Sequence, residues 1–178
     1  MRMCSVNSLK IRRRQLTCLS SVLGLSVSLV ACVTDVRMQE AEVREVMGAA
    51  CFAVGAWGSY RGDSAPRLAA LEVYDSAVSP SKIVWSFAYP TGQQQPLSSD
   101  ICIPYGVTPK GAIVSDRAEA LQPGRVYEVY INARFEDPTN PTFGFVKKFC
   151  LKAGPGGSAN VVQIAYVDDK GWDSKVCM

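Results

Sequence analysis

The residues of this chain that could do chemistry are its cysteines, because histidine is absent. The sequence holds seven cysteines and no histidine among 178 residues. The commonest general base and the commonest metal ligand in proteins are therefore both missing. A Ser-His-Asp triad or a Cys-His pair cannot be built. The sequence predicts no catalytic site, no cofactor and no metal, and we expect a protein that is not an enzyme.

Four cysteines that follow residue 50 form an even set: Cys51, Cys102, Cys150 and Cys177. In an oxidising compartment, such a set predicts two disulfides. Three pairings are possible, and the shorter loops favour Cys51 with Cys102 and Cys150 with Cys177. A metal site is the alternative, but no two of these cysteines are close in sequence and no histidine could complete the ligand set.

A fifth cysteine, Cys32, ends a segment that is typical of export signals. Five basic residues lie among the first fourteen, and the charge-free stretch from Leu16 to Val30 follows them. That stretch has the length of a signal-peptide apolar region, whereas a transmembrane anchor, the alternative, needs about 20 residues. Leu29-Val30-Ala31-Cys32 matches the bacterial lipobox, in which the cysteine thiol takes a diacylglycerol before the peptidase cuts. We therefore predict a signal peptide over 1–31 and lipidation at Cys32.

The residues after Cys32 predict where the protein resides. Val33, rather than an aspartate, follows the lipidated position, and by resemblance to enterobacterial lipoproteins this indicates the periplasmic face of the outer membrane. Several acyl chains on one cysteine would anchor the chain firmly in that membrane. Residues 32–42 are predicted to be a lipidated tether, and residues 43–178 to be the folded domain.

Removal of the signal peptide changes the charge of the chain. Five of the nineteen basic residues and none of the sixteen acidic ones lie in residues 1–31. The mature chain of 147 residues therefore carries fourteen basic and sixteen acidic side chains. No basic stripe remains that would attract a phosphate backbone, which argues against a nucleic-acid partner.

Short strands separated by turn residues dominate the mature sequence. Val126 to Phe135 alternates apolar and polar residues and is the clearest strand. Further strands are predicted over Val43–Met47, Ala50–Val54, Arg67–Tyr74, Lys82–Tyr89, Asp100–Pro104, Phe143–Leu151 and Asn160–Val167. A helix over Gln39–Met47 is the alternative for the first of them, and one helical turn is expected near Asp116–Ala120. The pattern favours an all-β fold, an antiparallel β-sandwich of the immunoglobulin-like kind.

Aromatic and arginine side chains near the predicted loops are the candidates for a partner surface. Trp57, Tyr60 and Arg61 lie close together in sequence, and Tyr105 follows a proline turn. Tryptophan, tyrosine and arginine are enriched at the hot spots of protein interfaces. These four residues are predicted to bind a protein partner, although core packing is the alternative for each.

Three segments resemble the periplasmic immunity lipoproteins of type VI secretion. Residues 43–54, with Cys-Phe-Ala-Val at their end, are similar to the opening hairpin of that family. Ile101-Cys-Ile-Pro104 resembles its second signature, and residues 124–130 resemble the strand that comes next. The chain departs from the pattern in its insert over 108–121 and its Cys177 tail. The resemblance implies a protein that binds and neutralises a secreted toxin; the alternative is a structural lipoprotein of an envelope or secretion complex.

Overall fold

The computed structural model of the chain describes residues 38–55, 65–137, 143–154, 159–167 and 170–178. The predicted signal peptide and Cys32 lie outside these ranges. Within them, no helix is long and apolar enough to cross a membrane. A short 3₁₀ helix spans Ser174–Cys177. The strands are β1 (Met38–Val46), β2 (Ala49–Val54), β3 (Arg67–Asp75), β4 (Lys82–Ala88), β5 (Gln95–Pro96), β6 (Ile103–Pro104), β7 (Ile113–Asp116), β8 (Val126–Arg134), β9 (Gly144–Ala153), β10 (Ala159–Gln163), β11 (Tyr166–Val167) and β12 (Gly171–Trp172).

Ten of these strands form one sheet, which confirms the predicted all-β fold. The order along the sheet is β6-β2-β1-β9-β8-β3-β4-β7, with β10 beside β9 and β5 beside β3. The sheet is mixed rather than wholly antiparallel, because β1 lies parallel to β9 through three residue pairs, Met38–Gly144 to Glu40–Val146. Strands β11 and β12 pair separately.

The core lies on the concave face of the sheet. On β8, Tyr127, Val129, Ile131 and Ala133 are buried and the residues between them are more exposed. This is the alternation that the sequence predicts for that strand. Strands β3 and β9 flank β8 and present buried partners on the same face, such as Leu71 opposite Ile131 and Phe149 opposite Tyr127.

The predicted hairpin near residue 48 is confirmed, and the alternative helix over Gln39–Met47 is wrong. β1 and β2 pair antiparallel from Ala41–Val54 to Val46–Ala49. Alanine and glutamate favour helix locally, but pairing with β2 on one side and β9 on the other fixes an extended backbone. β1 begins at Met38, so residues 38–42 of the predicted tether belong to the sheet.

The helical turn expected at Asp116–Ala120 is also wrong. Asp116 is the last residue of β7, which pairs with β4, and its carboxylate accepts a hydrogen bond of 2.5 Å from Ser86 Oγ. The backbone N–H of Glu119 donates to Val84 O at 2.9 Å. These backbone and side-chain groups bond to β4 instead of closing a helical turn.

The sheet curls until strands from its two ends meet. Phe52 on β2 lies 6.3 Å, between ring centroids, from Trp85 on β4, although four strands separate β2 from β4 in the sheet order. Phe149 on β9 lies 5.5 Å from the same Phe52 ring. The aromatic side chains of β2, β4 and β9 therefore fill one core.

Two disulfides join the pairs that the shorter loops favour. Cys51 bonds to Cys102 and Cys150 bonds to Cys177. The first ties β2 to the segment that precedes β6. The second ties β9 to the 3₁₀ helix near the C-terminus, where Cys150, Cys177 and Ile164 form a small buried cluster.

Candidate partner-binding site

The turn between β1 and β2 presents apolar side chains to solvent. We call Val46–Ala49 the hairpin tip; all four of its residues are exposed, and Met47 is fully so. Met47 and Gly48 both have positive φ, at 51° and 77°. Two central residues with positive φ are the signature of the two-residue turn that best matches the twist of a hairpin. The tip therefore holds a methionine side chain out from a tight, defined turn.

The structure holds this tip rigidly up to its last residue pair. Tyr105 N donates to Ala50 O at 2.8 Å, so the segment after β6 covers the edge of β2. Val161 N on β10 donates to Glu45 Oε2 at 3.0 Å on the other side. The Cys51–Cys102 disulfide fixes β2 two residues beyond the tip. A preformed tip loses little conformational freedom when a partner binds to it.

Met47 occupies a conformation that its residue type disfavours. An L-residue with a side chain costs about 1 kcal/mol or more in the left-handed region, which asparagine, aspartate and glycine tolerate better. Burial does not offset this cost, because the Met47 side chain contacts solvent. A strained and exposed apolar residue is a reason to suspect function. We therefore take the hairpin tip as the candidate partner-binding site.

The hairpin tip lies at the opposite end of β1 from Met38, where the first described range begins. β1 runs for nine residues from Met38 to Val46. At about 3.3 Å per residue, the tip is about 26 Å along the sheet from the point where the chain enters it.

Tyr105, one of the four predicted partner residues, has mainly structural contacts. Its ring packs edge-on against Trp85, with centroids 5.2 Å apart. Its hydroxyl donates to Glu119 O at 2.7 Å and lies 3.2 Å from Val84 O. Tyr105 therefore fastens the segment after β7 to β4. That Tyr105 also contacts a protein partner stays a prediction.

The other predicted site residues lie outside the described ranges: Trp57, Tyr60, Arg61 and the lipidation residue Cys32. Sequence reasoning missed Met47, although a signal was present. Two-residue hairpin turns favour asparagine or aspartate before glycine. A large apolar residue in that position, between two strand patterns, is a departure that could have indicated the site.

Within the described ranges, no group of three or more potential metal-ligating side chains is found. No protein-family model, curated protein or solved structure matches the chain. The functional argument therefore rests on the residues themselves.

The buried Tyr105 hydroxyl should make the free energy of unfolding depend on pH. Burial raises the pKa of this hydroxyl above its usual value near 10. The unfolded chain ionises first as pH rises, so the stability that the hydroxyl contributes is fully present below pH 10 and is lost above it. We expect Tyr105→Phe to lower the free energy of unfolding by about 1–2 kcal/mol at pH 7. The gap between wild type and variant should narrow above about pH 10.

Urea unfolding at pH 7, 9 and 10.5 measures this gap. Tyr166→Phe is the matched control, because the Tyr166 side chain is largely exposed. It should leave stability unchanged at each pH. A gap for Tyr105→Phe that widens as pH rises would contradict the assignment.

Proposed function

We propose that this chain is a lipid-anchored binding protein of the outer membrane, which faces the periplasm and neutralises a secreted toxin by binding it. The observation that carries the proposal is Met47, a fully exposed apolar side chain in a strained conformation on a rigid hairpin tip. A tip of this kind suits binding to a protein pocket, because the turn needs no rearrangement to enter it.

The predicted tether and the disulfides support a partner that is met in the periplasm. Six peptide steps separate Cys32 from Met38, a reach of at most about 20 Å. A domain tethered so closely would stay near the membrane surface, where a toxin that enters the periplasm could be bound. The two disulfides suit an oxidising compartment.

We further propose that the curled sheet packs as a sandwich of the immunoglobulin-like kind. The support is that β1 pairs with β9 only through Met38–Glu40 and then continues with β2, while β10 takes the place beside β9 from Phe149 onwards. The β1–β2 hairpin thereby leaves the main layer and lies over it. Phe52 and Trp85 would then belong to opposite layers.

Lipid attachment is tested by labelling cells with radioactive palmitate. We expect the wild-type chain to take up the label and to fractionate with the outer membrane. Cys32→Ser should take up none, because the sulfur that accepts the diacylglycerol is gone. Cys18→Ser is the matched control and should be labelled normally. Equal labelling of wild type and Cys32→Ser would contradict the anchor.

Neutralisation is tested by survival of cells that express the product of the neighbouring gene in the periplasm. We expect the wild-type chain to restore growth. Met47→Asn should stabilise the fold by about 1 kcal/mol, because asparagine tolerates positive φ, and yet fail to restore growth. Gain of stability with loss of rescue separates a binding residue from a structural one.

Met178→Asn is the matched control for this experiment. It makes the same chemical change at another exposed methionine, one that has no positive φ. It should leave both stability and rescue unchanged. Restored growth with Met47→Asn would show that the hairpin tip is not part of the binding site. Absence of toxicity, or toxicity without rescue by the wild type, would favour a structural lipoprotein of an envelope or secretion complex.

A further inference from the structure

Two arginines face each other on neighbouring strands at the Met38 end of the sheet. Arg67 at the start of β3 is the direct cross-strand partner of Arg134 at the end of β8. Like charges in directly opposite positions destabilise a sheet. Arg67 and Arg134 line a pocket of about 260 Å³ on the outer face of the sheet, away from the core. The pair therefore concentrates positive charge at this end of the sheet, where a carboxylate would be attracted.

Internal carboxylates satisfy only one of the two guanidinium groups. Arg67 Nη1 lies 3.3 Å from Glu136 Oε1, and Arg67 Nη2 donates to Gln94 O at 2.5 Å. Arg134 stacks on the Phe143 ring, 5.2 Å from its centroid. Among the described residues, no carboxylate lies within ion-pairing distance of Arg134. Stacking holds this guanidinium in place and leaves its edge for another acceptor.

A buried oxygen beside the two arginines also lacks a partner. Asn132 precedes Arg134 by two residues on the same face of β8, and its Oδ1 is buried without a hydrogen bond. A buried acceptor left without a donor costs about 1–3 kcal/mol. The same pocket thus contains a solvent-accessible guanidinium, that of Arg134, and a buried acceptor that lacks a donor.

We propose that this pocket binds a peptide carboxylate together with the amide N–H of the same residue. The carboxylate would accept hydrogen bonds from the guanidinium of Arg134. Arg67 would add positive charge from the facing strand. The N–H would donate to Asn132 Oδ1. In the last residue of a peptide, these two groups are a few atoms apart, which suits a pocket of this size. The site lies at the other end of the sheet from the hairpin tip and does not depend on the proposed function.

The chemistry of the pocket favours a carboxylate over a phosphate. A guanidinium matches a planar carboxylate through two parallel hydrogen bonds. An ionised inorganic phosphate offers mainly acceptor oxygens, and two acceptors already lie at the pocket, Asn132 Oδ1 and the Glu136 carboxylate. Repulsion from these oxygens would oppose the phosphate, whereas an amide N–H would satisfy the first of them.

The test follows the arginine side-chain Nε–Hε signals by NMR, with the full chain in detergent micelles. The probes are N-acetyl-Ala-Ala with a free carboxylate, the same dipeptide as its C-terminal amide, and inorganic phosphate. We expect the free acid alone to shift the signals of Arg67 and Arg134 in a saturable way. Arg134→Lys keeps the charge and removes the planar fork, and it should weaken binding about tenfold.

Two further variants test the roles of the individual groups. Asn132→Asp places a carboxylate beside Arg134, which should occupy the site and abolish binding. Arg117→Lys is the matched control on an exposed arginine elsewhere, and binding should stay unchanged. Equal shifts with the amide, unchanged affinity in Arg134→Lys, or an equal response to phosphate would overturn the proposal. The last result would assign the pocket to phosphate groups, those of lipid headgroups included.

Discussion

Phe52 is the side chain on which the closure of this fold depends. It lies on β2, near one end of the sheet order, and its ring packs with Trp85 on β4 and Phe149 on β9. Burial of large aromatic side chains is a strong driving force, and these rings can meet only if the sheet curls. The curl brings Tyr105 to the Glu119 carbonyl and so fastens the segment after β7. A smaller residue at position 52 would remove the ring contacts that join β2 to β4 and β9.

The closed core explains why a strained turn is tolerated at the hairpin tip. Six cross-strand pairs, the Cys51–Cys102 disulfide and the bonds from Tyr105 and Val161 all fix the hairpin. These interactions outweigh the cost of positive φ at Met47, so the backbone cannot relax to a more favourable turn. The Arg67–Arg134 pair is likewise fixed by the surrounding structure, because the register of β3 and β8 holds these two like charges opposite each other. In both places, a rigid scaffold holds a locally unfavourable group at the protein surface.

The sequence predicted the elements of the fold better than their arrangement. The alternation on β8 and the turn residues before it depend on local patterns, and both are found in the structure. The parallel pairing of β1 with β9 joins residues more than a hundred positions apart, and no local pattern encodes it. Residues 116–120 have helix-favouring side chains, yet β4 and Tyr105 take up their hydrogen-bonding groups. The candidate site was not predicted, because the enrichment of aromatic and arginine residues at interfaces does not point to a methionine. The strain at Met47 is visible only in its backbone φ angle.

The central proposal is that the hairpin tip contacts one protein partner. Site-specific photo-crosslinking in living cells tests it most directly, with the photoreactive residue placed at position 47 and, as control, at position 93. Gln93 is exposed and follows the end of β4 at the Met38 end of the sheet. The account predicts one crosslinked protein from position 47 that is absent from position 93. No crosslink from position 47, or the same crosslinked proteins from both positions, would contradict it.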